Sequence, residues 1–159
     1  MAVVEYRRLD AVRYAAAWAL SRNPVYPDFT DMGGDCANFI SQCLRAGGAP
    51  MNYTKDIGWY YRSMNDRAPA WSGAVFLHRF LTRTQGEGIF ARQIQRAEQL
   101  EKGDLIFLTS GGSIYHSLLV LQAKADPLVA AHTADSLMRP LSDYENAGRL
   151  LMHIEGIRL

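Results

Sequence analysis

Two thiols and four imidazoles are the groups in this 159-residue sequence that suit nucleophilic chemistry near neutral pH. Cys36 and Cys43 lie in GGDCANFISQC (33–43). If that segment is helical, a rise of 1.5 Å per residue sets their Cα atoms about 10 Å apart. A disulfide spans less than about 7 Å, so each is a free thiol or pairs with another chain. Cys43 falls mid-helix on the apolar face and reads as a core thiol. Cys36 falls in the first turn, where unpaired N–H groups and the helix dipole favour a thiolate. Those N–H groups can also hold the oxyanion of a tetrahedral intermediate. Asp35 opposes this through its charge unless it turns back as an N-cap.

A thiol nucleophile needs a base. His78 sits on the polar side of a helix, and His153 reads as structural in the last strand. His116 opens the strand YHSLLVL after a Gly-rich turn. Unbroken alternation would place Ile114, His116, Leu118 and Val120 on one face. A core histidine with a polar partner and a catalytic base both fit that pattern. His132 lies in the next strand, VAAHTAD. If the two strands are neighbours, His132 or Asp135 could fix the tautomer of His116. Asp135 could equally cap the following turn.

The elements that would position these groups can be read from periodicity. Residues 9–21 predict a helix capped by Asp10, and 22–34 a loop broken by Pro and Gly. A helix from Cys36 to Ala46 ends at Gly47-Gly48. Residues 49–71 are aromatic-rich and irregular. A third helix, 74–83, has Ser72 as its cap and buries Phe76, Leu77, Phe80 and Leu81. Two strands flank a Ser-Gly-Gly-Ser turn within 103–122, and 127–135 and 151–159 supply two more. Helices followed by an antiparallel sheet define an α+β class. The length suits one domain, residues 1–159.

Net charge is +1 and no Lys/Arg run stands out, which gives no electrostatic footprint for nucleic acid. No stretch approaches the roughly 18 apolar residues of a membrane span. The first residues lack the apolar core of a secretory signal. The expected location is cytoplasmic, or secreted or wall-associated for a processed domain. No Cys-x-x-Cys pair is present for zinc.

The stretch NPVYPDFTDMGGDCANFISQCLRAGGAPM (23–51) resembles the start of the putative amidase domain family. WYY (59–61), APAWSG (68–73), HS (116–117) and HTAD (132–135) are similar to later positions of that family. LEKGDLIFL and YHSLLVL resemble the Gly-Asp strand and the histidine strand of papain-like amidases and NlpC-type cell-wall endopeptidases. The resemblance implies a papain-like fold, with a nucleophile helix packed on a small antiparallel sheet. It implies Cys36 as nucleophile, His116 as general base and His132 as third residue, with Asp135 the alternative. Asp104 would shape the strand entry.

The implied chemistry is amide hydrolysis through a thioester, without metal or organic cofactor. The default substrate is a peptidoglycan peptide or related small peptide, with no nucleic-acid or membrane partner. Backbone N–H of Cys36 would hold the oxyanion, with Tyr26 or Thr30 as side-chain donors. Asp35 and Ser117 are further candidates beside the nucleophile and base. Trp59, Tyr60, Tyr61 and Trp71 either line a substrate groove or close the core. A non-catalytic binding module on the same fold and an acyltransferase using the same Cys/His pair are the alternatives. A redox sensor lacks a resolving cysteine within reach of Cys36.

Overall fold

A computed structural model describes residues 1–159. In chain order it contains β1 (Val3–Val4), α1 (Arg8–Trp18), α2 (Cys36–Ala46), β2 (Tyr61–Ser63), β3 (Asp66–Arg67) and α3 (Pro69–Ser72). There follow α4 (Ala74–Thr82), β4 (Gly88–Ile94), β5 (Leu105–Ser110), β6 (Ser113–Gln122), β7 (Leu128–Ala131), β8 (Ser136–Pro140) and β9 (Gly148–Arg158). Seven strands make one antiparallel sheet in the order β1-β9-β5-β6-β7-β8, with β4 also paired to β9. The protein is a mixed α/β chain, helices first and sheet mostly last.

Both faces of this sheet are buried. Leu105, Phe107, Leu119 and Leu121 point to the side on which Phe39, Ile40, Cys43 and Leu44 of α2 pack. Ile106, Leu108, Leu118 and Val120 point to the other side, where Leu100 and Leu141 cover them. Two buried faces explain why β5 and β6 read as nearly continuous apolar runs rather than alternating ones.

Helix α2 ends as its glycines predict. Gly47 is the C-cap, and Gly48 has φ +99°, a left-handed conformation that suits a residue without Cβ. Every residue from Ala37 to Leu44 is buried. Polar members of that run have partners, as burial requires. Trp71 Nε1 donates to Asn38 Oδ1 at 2.9 Å, Ser41 Oγ donates to the Trp71 carbonyl, and Trp59 Nε1 donates to Ser41 Oγ. Trp59 and Trp71 are both 0% exposed. They close the core around α2, the second of the two alternatives left open for them, and do not line a groove.

Several boundaries differ from expectation for local reasons. Helix α1 begins at Arg8 after Arg7, and Asp10 caps nothing but pairs with Arg7 at 2.8 Å. Ser72 closes α3 and accepts from Arg67 Nε, so Gly73 precedes α4 instead. Phe76 is exposed. Strands β4 and β8 had no expected counterpart. The segment 127–135 divides because Thr133 and Ala134 take left-handed conformations, φ 63° and 56°, and turn the chain into β8.

One irregularity in β6 governs the site. Thr109 pairs with Ile114 and Leu108 with His116, leaving Tyr115 as the extra residue of a bulge. The bulge breaks the expected alternation. Ile114 packs on the α2 side, whereas Leu118 and Val120 belong to the opposite side.

Cys43 is 0% exposed and burial pushes its thiol pKa well up. Iodoacetamide should label only Cys36 in the native protein and both thiols after unfolding. Cys43→Ala should lower stability by about 1 kcal/mol in urea denaturation, through a small cavity.

Candidate functional site

The first helical N–H bond of α2 runs from Phe39 to the Asp35 carbonyl, at 3.0 Å. The N–H groups of Cys36, Ala37 and Asn38 therefore precede the ladder, and no side chain caps them. Cys36 is half-buried at this end. A thiolate or an oxyanion here would meet unpaired donors and the positive end of the helix dipole.

Asp35 occupies the cap position but does not cap, a correction to the expectation above. Its carboxylate turns away from the helix. Oδ1 accepts from Phe29 N–H at 2.8 Å and from Asn38 Nδ2 at 3.0 Å. Oδ2 lies 2.5 Å from His132 Nδ1. Asp35 N–H donates to Thr133 Oγ1 at 2.9 Å. Gly34 leaves room for this approach, since a Cβ there would stand 3.2 Å from the same oxygen.

His132 is 1% exposed and its ring stacks on Phe39, centroids 4.0 Å apart. Its Nε2 is 2.7 Å from the Trp18 carbonyl at the end of α1. A carbonyl only accepts, so Nε2 carries a proton. Nδ1 faces a carboxylate oxygen, so one more proton lies between ring and acid. The network thus describes an imidazolium–carboxylate pair tying the C-terminus of α1 to the N-terminus of α2. Both ring nitrogens are occupied, and His132 has none free for Cys36 or for His116.

Arg22 lies against the same acid. Its Nε is 3.5 Å from Asp35 Oδ2 and 3.2 Å from Asp28 Oδ1. Its Nη1 and Nη2 hold Asp135 in a two-point grip at 2.8 and 3.0 Å. Asp135 is therefore the partner of Arg22 and makes no contact that would orient His116. Thr30 Oγ1 is committed to Asp28 Oδ1 at 2.5 Å. Tyr26 stacks on Trp71 and tilts against Tyr61, and burial raises its hydroxyl pKa.

His116 is placed on the face of β6 away from α2. It stands opposite Leu108 and shares its face with Leu118 and Val120. Its ring lies 6.1 Å from that of Tyr144, and Tyr115 stacks alongside at 6.3 Å and 23°. Burial, reinforced by the charge of Arg139, lowers its pKa to about 4. Of the expected residues, the structure brings together Cys36, Asp35 and His132, and keeps His116 apart from them. Ser117 points to the α2 side, and its buried Oγ has no hydrogen-bond partner. His153 and Asp104 pair at 3.0 Å, and Asp104 also takes Arg8 at 2.7 Å, which makes both structural.

Sequence reasoning missed Arg22, Thr133 and the Trp18 carbonyl. Arg22 and Asp135 are separated by 113 residues, and no spacing rule joins such positions.

The site is thus a half-buried thiol at a helix N-terminus, held by a buried ion pair and set against an antiparallel sheet. The family comparison agrees with the motifs. The model of the putative amidase domain matches residues 5–154, and the chain belongs to that family. The uncharacterized protein YhbB of Bacillus subtilis (strain 168) is 38% identical over 149 residues. That match covers 90% of this chain and 46% of the relative, so the chain spans about half the length of the curated relative it matches. No solved structure matches.

Asp35→Asn should destabilise the fold by about 3–5 kcal/mol, because it leaves an uncompensated buried imidazolium. Pairing it with His132→Gln should cost less than the sum of the two single changes, measured by urea denaturation in a double-mutant cycle. Strict additivity would mean that the two side chains do not interact.

His116 gives a pH signature. Folded, it takes its proton near pH 4, whereas an ordinary histidine does so at 6.5. Between these values the unfolded chain binds more protons, so stability falls as pH drops from 6.5 to 4, by up to about 3 kcal/mol. His116→Gln should flatten that part of the stability–pH curve.

Proposed function

We propose that this chain is a cysteine-dependent amidase with Cys36 as its nucleophile. One observation carries the reading: a half-exposed thiol opens a helix whose first N–H groups are unclaimed, while the adjacent carboxylate is turned away and neutralised by His132 and Arg22. The charge that would have opposed a thiolate is thereby offset. Family membership supports the same reaction class.

In this proposal the Cys36 thiol gives its proton to an imidazole and the sulfur attacks an amide carbonyl. Backbone N–H groups at the start of α2 hold the oxyanion. The imidazolium protonates the leaving amine as the C–N bond breaks. Water then attacks the thioester, passing a proton to the imidazole, and the sulfur leaves.

The imidazole is His116 after a change of face. In the described structure Tyr115 is the extra residue and His116 opposes Leu108. If the bulge moves by one residue, Tyr115 opposes Leu108 and His116 becomes the extra residue. The two residues at a bulge oppose one partner residue and project toward its side. His116 would then share the side of Ser117, which faces α2. The pairings of Thr109 with Ile114 and of Phe107 with Ser117 survive the move. The unpartnered Ser117 Oγ would gain a neighbour. His132 acts as a positioning residue. A peptidoglycan peptide or a related small peptide is the proposed substrate, and the papain-like likeness belongs to this proposal.

The test is mass spectrometry of products from purified muropeptides and a panel of aminoacyl amides. Cys36→Ala should abolish hydrolysis with unchanged stability, and His116→Gln should reduce it by about 10²–10⁴-fold. Alkylation of Cys36 by iodoacetamide at neutral pH should slow in His116→Gln. The position of His116 on the face away from α2 favours one other reading, a non-catalytic binding module. In that case Cys36 labels no faster than a model thiol, and His116→Gln changes neither labelling nor turnover.

A further inference from the structure

A second cluster lies beyond the thiol, where α4, β4 and the end of β9 meet. A cavity of about 660 Å³ is lined there by His78, Arg83, Thr84, Arg92, Arg158 and Glu155 among others. Three buried nitrogens of this group, His78 Nε2, Arg83 Nε and Arg158 Nη1, have no hydrogen-bond partner. Buried polar atoms without partners are expensive, and three gathered around one cavity call for an explanation.

The charges in the cavity are also unbalanced. Arg92 pairs with Glu155, the one acid of the lining. Arg83 and Arg158 have no carboxylate. Arg83 Nη1 donates to the carbonyls of Phe80 and Ile89 and Nη2 to those of Gly86 and Glu87, which leaves only Nε free, and its guanidinium lies 3.7 Å over the Phe80 ring. Arg158 lies 3.8 Å over the Phe90 ring. Both guanidinium planes are thus fixed by packing, with little side-chain freedom left to lose on binding. Their mutual repulsion is visible in Arg83, whose pKa falls to about 10, first through burial and then through the charge of Arg158.

We infer that this cavity binds a phosphate group, held between the guanidiniums of Arg83 and Arg158 with the His78 ring beside it. Two positive charges without a carboxylate correspond to a phosphate dianion, toward which Arg83 would offer its unpartnered Nε and Arg158 its unpartnered Nη1. Free phosphate and a phosphate carried on a small organic molecule offer the same recognition chemistry. The site is separate from Cys36, so binding does not depend on the amidase reading.

Isothermal titration of the folded chain with inorganic phosphate, and separately with glycerol phosphate, tests this against sodium chloride at matched ionic strength. Phosphate should bind with 1:1 stoichiometry, and the His78 ring resonances should shift in an NMR titration. Arg158→Gln should weaken binding about tenfold, the loss of one charge-assisted hydrogen bond. Thr84→Glu, a rim substitution at an exposed position, should weaken it as well without disturbing the fold. Cys36→Ala should bind as the parent does. Tighter binding of glycerol phosphate than of inorganic phosphate would assign the site to an organic phosphate, and the reverse to the free ion. A response no larger than that to sodium chloride, or one unchanged by both Arg158→Gln and Thr84→Glu, overturns the proposal.

Discussion

The proton shared between Asp35 and His132 is the constraint on which the rest of this site depends. Both groups are out of contact with water, at 0% and 1% exposure. An acid and a base buried there must satisfy one another, because neither can be hydrated. The pair reaches three elements at once: the last carbonyl of α1, the residue before α2 and the end of β7. An imidazolium against the C-terminal carbonyl of α1 also suits that helix's dipole. The start of α2 is fixed in consequence, and with it the direction in which the Cys36 sulfur and the free N–H groups point. Breaking this pair would disturb Cys36 without touching it.

The fold was legible where one element's pattern decides its state. The helix from Cys36 to Ala46 was fully visible, because its apolar face and its terminal glycines agree. The hairpin around Gly111-Gly112 was visible too. Strand β4 was not: GIFARQI follows a Gly-rich break and alternates only loosely, and it becomes a strand because β9 is long enough to pair with it. Asp35 shows a different failure. An Asp before a helix is ordinarily a cap, but here a histidine 97 residues away in sequence competes for its oxygens and wins. Trp59 and Trp71 could not be divided between groove and core until Ser41 and Asn38 were seen to take their indole protons.

His116 shares a face with Leu118 and Val120 as alternation expects, but the face of Ile114 was illegible for a sharper reason. Alternation assigns faces only while the register is unbroken, and one extra residue inverts everything beyond it. Tyr115 is that residue. Nothing in SIYHS marks it, since the bulge belongs to the pairing of β5 with β6 and not to β6 alone.

That same bulge connects the motif and the structure. Motifs place a histidine at the strand entry and a cysteine at the helix entry. The structure puts them on opposite sides of one sheet, with the imidazole neutral and the thiol beside a saturated His132. A neutral imidazole at a pKa of about 4 is a poor proton acceptor where it lies. Turned toward α2, it would leave the field of Arg139 and approach a forming thiolate, and both changes raise its basicity. The energy to turn it must exceed the packing of one ring beside Tyr144 and the local ladder pairing of Leu108 with His116, which re-forms with Tyr115, while no side-chain hydrogen bond of His116 has to break. In the proposed mechanism, a substrate that packs against the turned ring, or a thiolate that pairs with it, would bias the bulge toward the second position.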